Sequence, residues 1–168
     1  PAASVAGALL YLKVTNGIFV EVGGTSTNIC IIRNGKPEIR YVTVKDHPTC
    51  IRSMDVRVLG VAGGSMVKIK QNRVWQVGPR SAHIAGLKYS CFANPDELKQ
   101  GKITTIKPLS NDQNEYVAIT CDDTIYAITT TCAANALGMI QEGDYSYANQ
   151  ESAKISLKLL GDNLGMPY

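Results

Sequence analysis

Alternating apolar and polar positions dominate the early and middle chain, and a three-to-four spacing marks its two ends. Behind Pro1 and a run of small residues, Val5, Leu9 and Leu12 fall at helical spacing, which predicts a short helix from Pro1 to Leu12. Gly17 to Val22 and Thr27 to Arg33 are β-branched runs parted by Gly23-Gly24, and the second stops at Asn34-Gly35. Asn-Gly between apolar runs favours a type I′ turn, whose central residues both need positive φ. A third strand, Glu38 to Lys45, is therefore expected to pair with the second. Asp46 to Asp55 contains Pro48 and reads as a loop.

Val56 to Val61, Met66 to Lys70 and Arg73 to Val77 read as strands, the first two divided by Gly63-Gly64-Ser65. A long irregular connection is expected from Gly78-Pro79 to Asn94, then a helical turn at Pro95. Tyr116 to Cys121 and Thr124 to Thr129 form a hairpin pattern closing at Asp122-Asp123. Thr129-Thr130-Thr131 supplies hydroxyl caps for a helix that ends at Gly138. Ala153, Leu157, Leu160 and Leu164 lie on one stripe of a helix from Asn149 to Leu164, with Gly161 a weak point. The fold class is mixed α/β, with hairpins early and helices late. At 168 residues the default is one domain, 1–168, around one core.

Composition narrows the function. The 17 basic and 14 acidic residues are interspersed, giving +3 with no run that would track a nucleic-acid backbone or lie on a membrane. No stretch approaches the roughly 20 apolar residues of a membrane span. Cys30, Cys50, Cys91, Cys121 and Cys132 are odd in number and contain no CxxC pair. They read as reduced, mostly buried thiols of a cytoplasmic protein. His47 and His83 are the only histidines, too few for a His-based zinc site.

The chemistry concentrates in Phe19-Val-Glu-Val-Gly-Gly-Thr-Ser-Thr-Asn28. A strand that runs into Gly23-Gly24 can turn so that successive N–H groups meet an anion, and Thr25, Ser26 and Thr27 add hydroxyl donors. This is neither a P-loop nor a Rossmann turn, because no GxxxxGK[ST] or GxGxxG is present and a strand, not a helix, follows. An ordinary glycine-rich hairpin loop would have the same appearance.

Glu21-Val-Gly-Gly-Thr-Ser-Thr-Asn28 resembles the acidic-x-Gly-Gly-Thr-Ser-Thr-Asp signature of the hydantoinase A/5-oxoprolinase family. Three further stretches match in the family's order. Pro1-Ala-Ala-Ser-Val-Ala-Gly-Ala resembles the helix before the signature. Gly60-Val-Ala-Gly-Gly-Ser65 resembles a Gly-Ala-Gly-Gly-Gly-Ser turn, and Val77-Gly-Pro-Arg-Ser-Ala82 resembles Val-Gly-Pro-Glu-Ser-Ala. The likeness covers about the first ninety residues and implies half of an actin-like ATPase (ribonuclease H-like) domain. It also implies the second of two glycine turns that clamp ATP, so the chain is expected to be an internal fragment. Implied partners are ATP, a small cyclic amide substrate, the rest of the parent subunit and a second subunit. Implied site residues are Glu21, Gly23, Gly24, Thr25, Ser26, Thr27, Asn28, Gly63, Gly64 and Ser65, with Glu21 at magnesium; no catalytic base is identified.

Several positions depart from the family pattern. Glu21 stands where Asp is usual, and Asn28 replaces a second Asp, removing a charge and any capacity to act as a base. Arg80 replaces a Glu and is expected to be exposed or ion-paired rather than on phosphate; His83 is expected at the surface. Trp75, Tyr89, Tyr145 and Tyr147 read as core or interface anchors rather than an adenine stack. Two alternatives follow: a degenerate, non-catalytic member kept for binding or assembly, or an actin-fold phosphotransferase with Asp55, Asp122 or Asp123 as base.

Overall fold

In the computed structural model, residues 2–166 are described. Pro1, where the sequence places the start of the first helix, lies outside them. The contacts divide the chain into two compact units, residues 1–22 with 26–59, and residues 23–25 with 60–168.

The smaller unit contains α1 (Ala2–Leu12) and strands β1 (Gly17–Val22), β2 (Thr27–Arg33), β3 (Lys36–Pro37), β4 (Ile39–Val44), β5 (His47–Met54) and β6 (Val56–Leu59). β2 is central: β1 flanks one side antiparallel, while β3 and β6 share the other. The Asn34-Gly35 turn forms as expected, with positive φ at both residues. The strand after it pairs differently from the expectation. Only Lys36 and Pro37 continue along β2, and β4 pairs with β5 in a separate two-stranded ribbon. The 46–55 loop reading is corrected on the same ground. Pro48 sits in a two-stranded ribbon, where a missing N–H costs little, and Lys45 and Asp46 supply positive φ for the turn without glycine.

Register separates the two faces of the β1–β2–β6 sheet. Phe19, Cys30 and Val56 share one face with Glu21, Asn28 and Val58, and here Cys30, Ile32 and Asn28 are buried. Ile18, Val20 and Val22 share the other with Ile29, Ile31 and Leu59; five of these six side chains, all but Ile29, are exposed, with Ile18 at 69% and Val22 at 66%. In α1 only Val5 is buried, so the expected Val5–Leu9–Leu12 stripe is not a packed one, and Leu12 is exposed.

The larger unit has a six-stranded sheet of β7 (Ser65–Lys70), β8 (Arg73–Ser81), β9 (Lys88–Tyr89), β10 (Lys102–Ile106), β11 (Tyr116–Cys121) and β12 (Thr124–Ala127). β11 lies at its centre, bonded to β10, β12 and β7, and five of its six residues are buried. β8 runs through Gly78-Pro79 to Ser81, so the irregular connection begins later than its sequence suggests. A 3-10 turn (Ser90–Phe92) and α2 (Pro95–Lys99) follow, the latter capped by the Asn94 side chain.

The late helices form as the sequence predicts. α3 (Thr130–Ala136) is capped by Thr129, whose side chain accepts from the Cys132 amide. α4 (Gln150–Leu164) is capped by Asn149 and closed by Gly165 in the left-handed region, where glycine carries no Cβ penalty. Leu160 and Leu164 pack with Leu98, Val117, Ile119 and Ile128, and Ala153 packs with Cys91, Cys132 and Ala136. Each buried aliphatic side chain of this kind contributes about 1.5–3 kcal/mol.

Candidate phosphate-binding site

The Gly23–Thr25 turn belongs to the larger unit, where it lies against the Ala62–Ser65 turn. The Gly63 amide donates to the Gly23 carbonyl at 3.1 Å and the Gly64 amide to the Gly24 carbonyl at 2.8 Å. In a trans peptide the N–H of one residue points opposite to the C=O of the residue before it. With the Gly23 and Gly24 carbonyls turned towards Gly63 and Gly64, the amides of Gly24 and Thr25 point together to the other side. Neither amide, nor that of Ser26, has an acceptor among the described residues. Gly23 and Gly24 are exposed, and Thr25 is half-buried with its hydroxyl 3.2 Å from that of Ser81.

The second turn is internally satisfied. Ser65 Oγ accepts from the Ala62 amide at 2.8 Å, the Ser65 amide donates to Ala62 O, and Gly64 O accepts from the Ala82 amide at 2.9 Å. The Gly63 and Gly64 amides, expected at a phosphate, are given to the first turn instead; Ser65 is buried with its hydroxyl facing inward to Ala62. Close approach explains these glycines. A Cβ on Gly64 would overlap the Gly24 carbonyl and the Tyr89 hydroxyl, and one on Gly63 would lie 2.9 Å from Thr131 Oγ1. Gly24 has room, since a Cβ there would meet only Tyr89 Oη at 3.9 Å, and none of the three has positive φ.

The other signature residues lie in the smaller unit. Asn28 Nδ2 donates to Glu21 Oε2 at 2.9 Å. Asn28 and then Ser4 hold the Glu21 carboxyl below the usual carboxylate range. Asn28 Oδ1 is buried without a donor, and Ser26 and Thr27 are half-buried. Magnesium at nucleotide sites keeps several waters and needs one or two carboxylates plus phosphate oxygens. The single Glu21 carboxylate fits the lower end of that requirement, whereas the buried Asn28 Oδ1 is out of reach of a hydrated ion. Among the described residues no three His, Cys, Asp or Glu side chains cluster as a metal cage.

The remaining candidates are in ordinary surroundings. Arg80 makes a paired contact to Asp112 at 2.9–3.0 Å, and this guanidinium holds the Asp112 carboxyl below its usual range. His83 is exposed in the turn after β8. Asp55 faces Arg40 at 3.1 Å, and Asp122 and Asp123 make the exposed β11–β12 turn. Trp75 is half exposed beneath Lys68 and Lys70, and Tyr145 is fully exposed. Tyr89 is a residue whose placement the sequence concealed. β9 fixes it in parallel pairing beside Ala127, and its hydroxyl fills the space above Gly64. Four of the five cysteines are buried and all are free; Cys91 and the Ser90 and Thr129 hydroxyls beside Cys132 pull its thiol below the usual range.

A mixed α/β scaffold thus carries a glycine turn whose Gly24 and Thr25 amides have no acceptor among the described residues. The hydantoinase/oxoprolinase family profile matches residues 1–167, and the chain belongs to that family. Among solved structures it resembles the nucleotide-free structure of acetone carboxylase, described under the mechanism of ATP-dependent acetone carboxylation, with a TM-score of 0.62 at 16% identity. The match covers 96% of this chain and 20% of that one, so the two share a fold, and the mixed α/β class read from the sequence stands. No curated protein matches the chain.

Proposed function

We propose that this chain is the phosphate-holding part of an ATP-dependent enzyme that opens a small cyclic amide of the hydantoin or 5-oxoproline type. The observation that carries the reading is the pair of Gly24 and Thr25 amides, turned to one side without an acceptor among the described residues because their neighbouring carbonyls are bonded behind them. Two parallel, fixed N–H groups recognise a phosphoryl oxygen without a positive side chain. Glu21 is the carboxylate of the smaller unit that would be available to a hydrated magnesium ion, which would supply positive charge to a nucleotide.

The family membership supports ATP and a cyclic amide as ligands, and the free thiols suit a cytoplasmic protein. The chain spans about a fifth of the acetone carboxylase chain, and the Ile18–Val20–Val22 face is uncovered. Both support a fragment that works with the rest of a larger subunit and a second subunit. A second reading, binding without turnover, draws on Asn28, an amide that cannot take a proton and already restrains Glu21.

The test is titration of the complete polypeptide, 15N-labelled at glycine and threonine, with ADP and ATP. Saturable shifts at Gly24 and Thr25, with hydantoin- or oxoproline-dependent ATP hydrolysis, are expected. Binding without hydrolysis selects the second reading. Unmoved Gly24 and Thr25 resonances at millimolar nucleotide overturn both.

A further inference from the structure

The two amides that end at the proposed phosphate position are the ends of two hydrogen-bonded rails that begin on α3. Thr130 Oγ1 bonds the Ala62 carbonyl; the peptide carrying that carbonyl presents the Gly63 amide, which bonds Gly23 O at 3.1 Å, and the next peptide presents the Gly24 amide. Thr131 starts the parallel rail. Its Oγ1 at 2.7 Å and its amide at 2.9 Å bond Gly63 O, whose peptide presents the Gly64 amide to Gly24 O at 2.8 Å and so leads to the Thr25 amide.

Lone-pair count sorts the two hydroxyls. Thr130 Oγ1 is also 2.8 Å from Gly63 O, yet that oxygen has two lone pairs, and the Thr131 hydroxyl and amide occupy them. The single Thr130 proton is then best used on Ala62 O. Each threonine thus feeds a different rail, and no side chain of α3 needs to touch the ligand.

Peptide groups aligned head to tail polarise one another, so a donor at one end makes the N–H at the other a stronger donor. We infer that Thr130 and Thr131 are positioning residues which aim and polarise the Gly24 and Thr25 amides through the Ala62–Gly64 peptides. This rests on the phosphate reading for its purpose, whereas the polarisation itself is independent of any ligand. It also gives a reason for the second glycine turn to bring its backbone so near the first, since a Cβ on Gly64 would part the rails at the Gly24 carbonyl.

The test uses the complete polypeptide, selectively 15N-labelled at glycine and threonine, with Thr130→Val and Thr131→Val. Without ligand, Thr130→Val is expected to move the Gly24 amide proton upfield more than that of Thr25, and Thr131→Val to do the reverse by a smaller amount, because its main-chain N–H remains. With inorganic phosphate or ADP as probe, the double variant is expected to bind about five- to tenfold more weakly. Thr130→Ser and Thr131→Ser, which keep the hydroxyls, should restore both shifts and affinity. Thr130→Ala and Thr131→Ala serve if the valine variants do not fold. Shifts that spread evenly, or no rescue by serine, overturn the rails. Rail-specific shifts in a wild-type protein that binds neither probe uphold the rails and sink the phosphate reading instead.

Discussion

At Gly23–Thr25 the carbonyls of both glycines are bonded and the following amides are open, whereas at Ala62–Ser65 every amide is donated and the carbonyls of Ala62, Gly63 and Gly64 all accept. Two turns with the same Gly-Gly-hydroxyl composition therefore occupy opposite roles. One presents donors outward and the other spends its donors holding the first. Composition identifies a turn able to bind an anion; which turn does so depends on where the neighbouring carbonyls find partners.

Substitution at the two central glycines should separate the turns most sharply. Gly64→Ala places a methyl into the Gly24 carbonyl and Tyr89 hydroxyl and should cost about 3 kcal/mol. A denaturation midpoint equal to wild type would mean the two turns are not so closely joined. Ser81→Ala removes the Thr25 hydroxyl's partner and should cost roughly 1 kcal/mol, read in the same experiment. Gly24→Ala meets only an ordinary contact and should lie within about 0.5 kcal/mol of wild type. A large loss there would contradict an open first turn.

The smallest expected effect concerns the strands flanking the first turn. Because the folded Glu21 carboxyl titrates below the ordinary glutamate range, its contribution to stability is present above that range and lost as pH falls through the lower, folded value. Asn28→Ala should move the Glu21 titration back up, followed by carbon NMR of the side-chain carboxyl. An unchanged midpoint would show that Asn28 does not hold the carboxylate.

Local chemistry was legible wherever it was decided locally. The Asn34-Gly35 turn, the Thr129 and Asn149 caps and the β11–β12 hairpin all follow from short stretches of sequence. What sequence concealed was pairing over distance. β5 was obscured by Pro48, β10 (Lys102–Ile106) has no strong alternation, and the partner of β4 depends on a Lys45-Asp46 turn lacking glycine. At the site, Gly23, Gly24 and Thr25 stood out, but the assignment of the Gly63 and Gly64 amides required knowing that residues forty apart in sequence face one another. The sequence marks Thr130 and Thr131 only as caps, because a hydroxyl bonded to a distant carbonyl leaves no periodic trace.

One feature of the smaller unit bears on handling the protein. Among the described residues β1 pairs along one edge only, and Ile18, Val20 and Val22 are exposed on one face of it, a face to which β1 itself contributes no charge. Preparations of the isolated chain should cloud and form cross-β fibres on warming, starting at this strand. A single lysine at Val20 should keep the solution clear without touching the glycine turns.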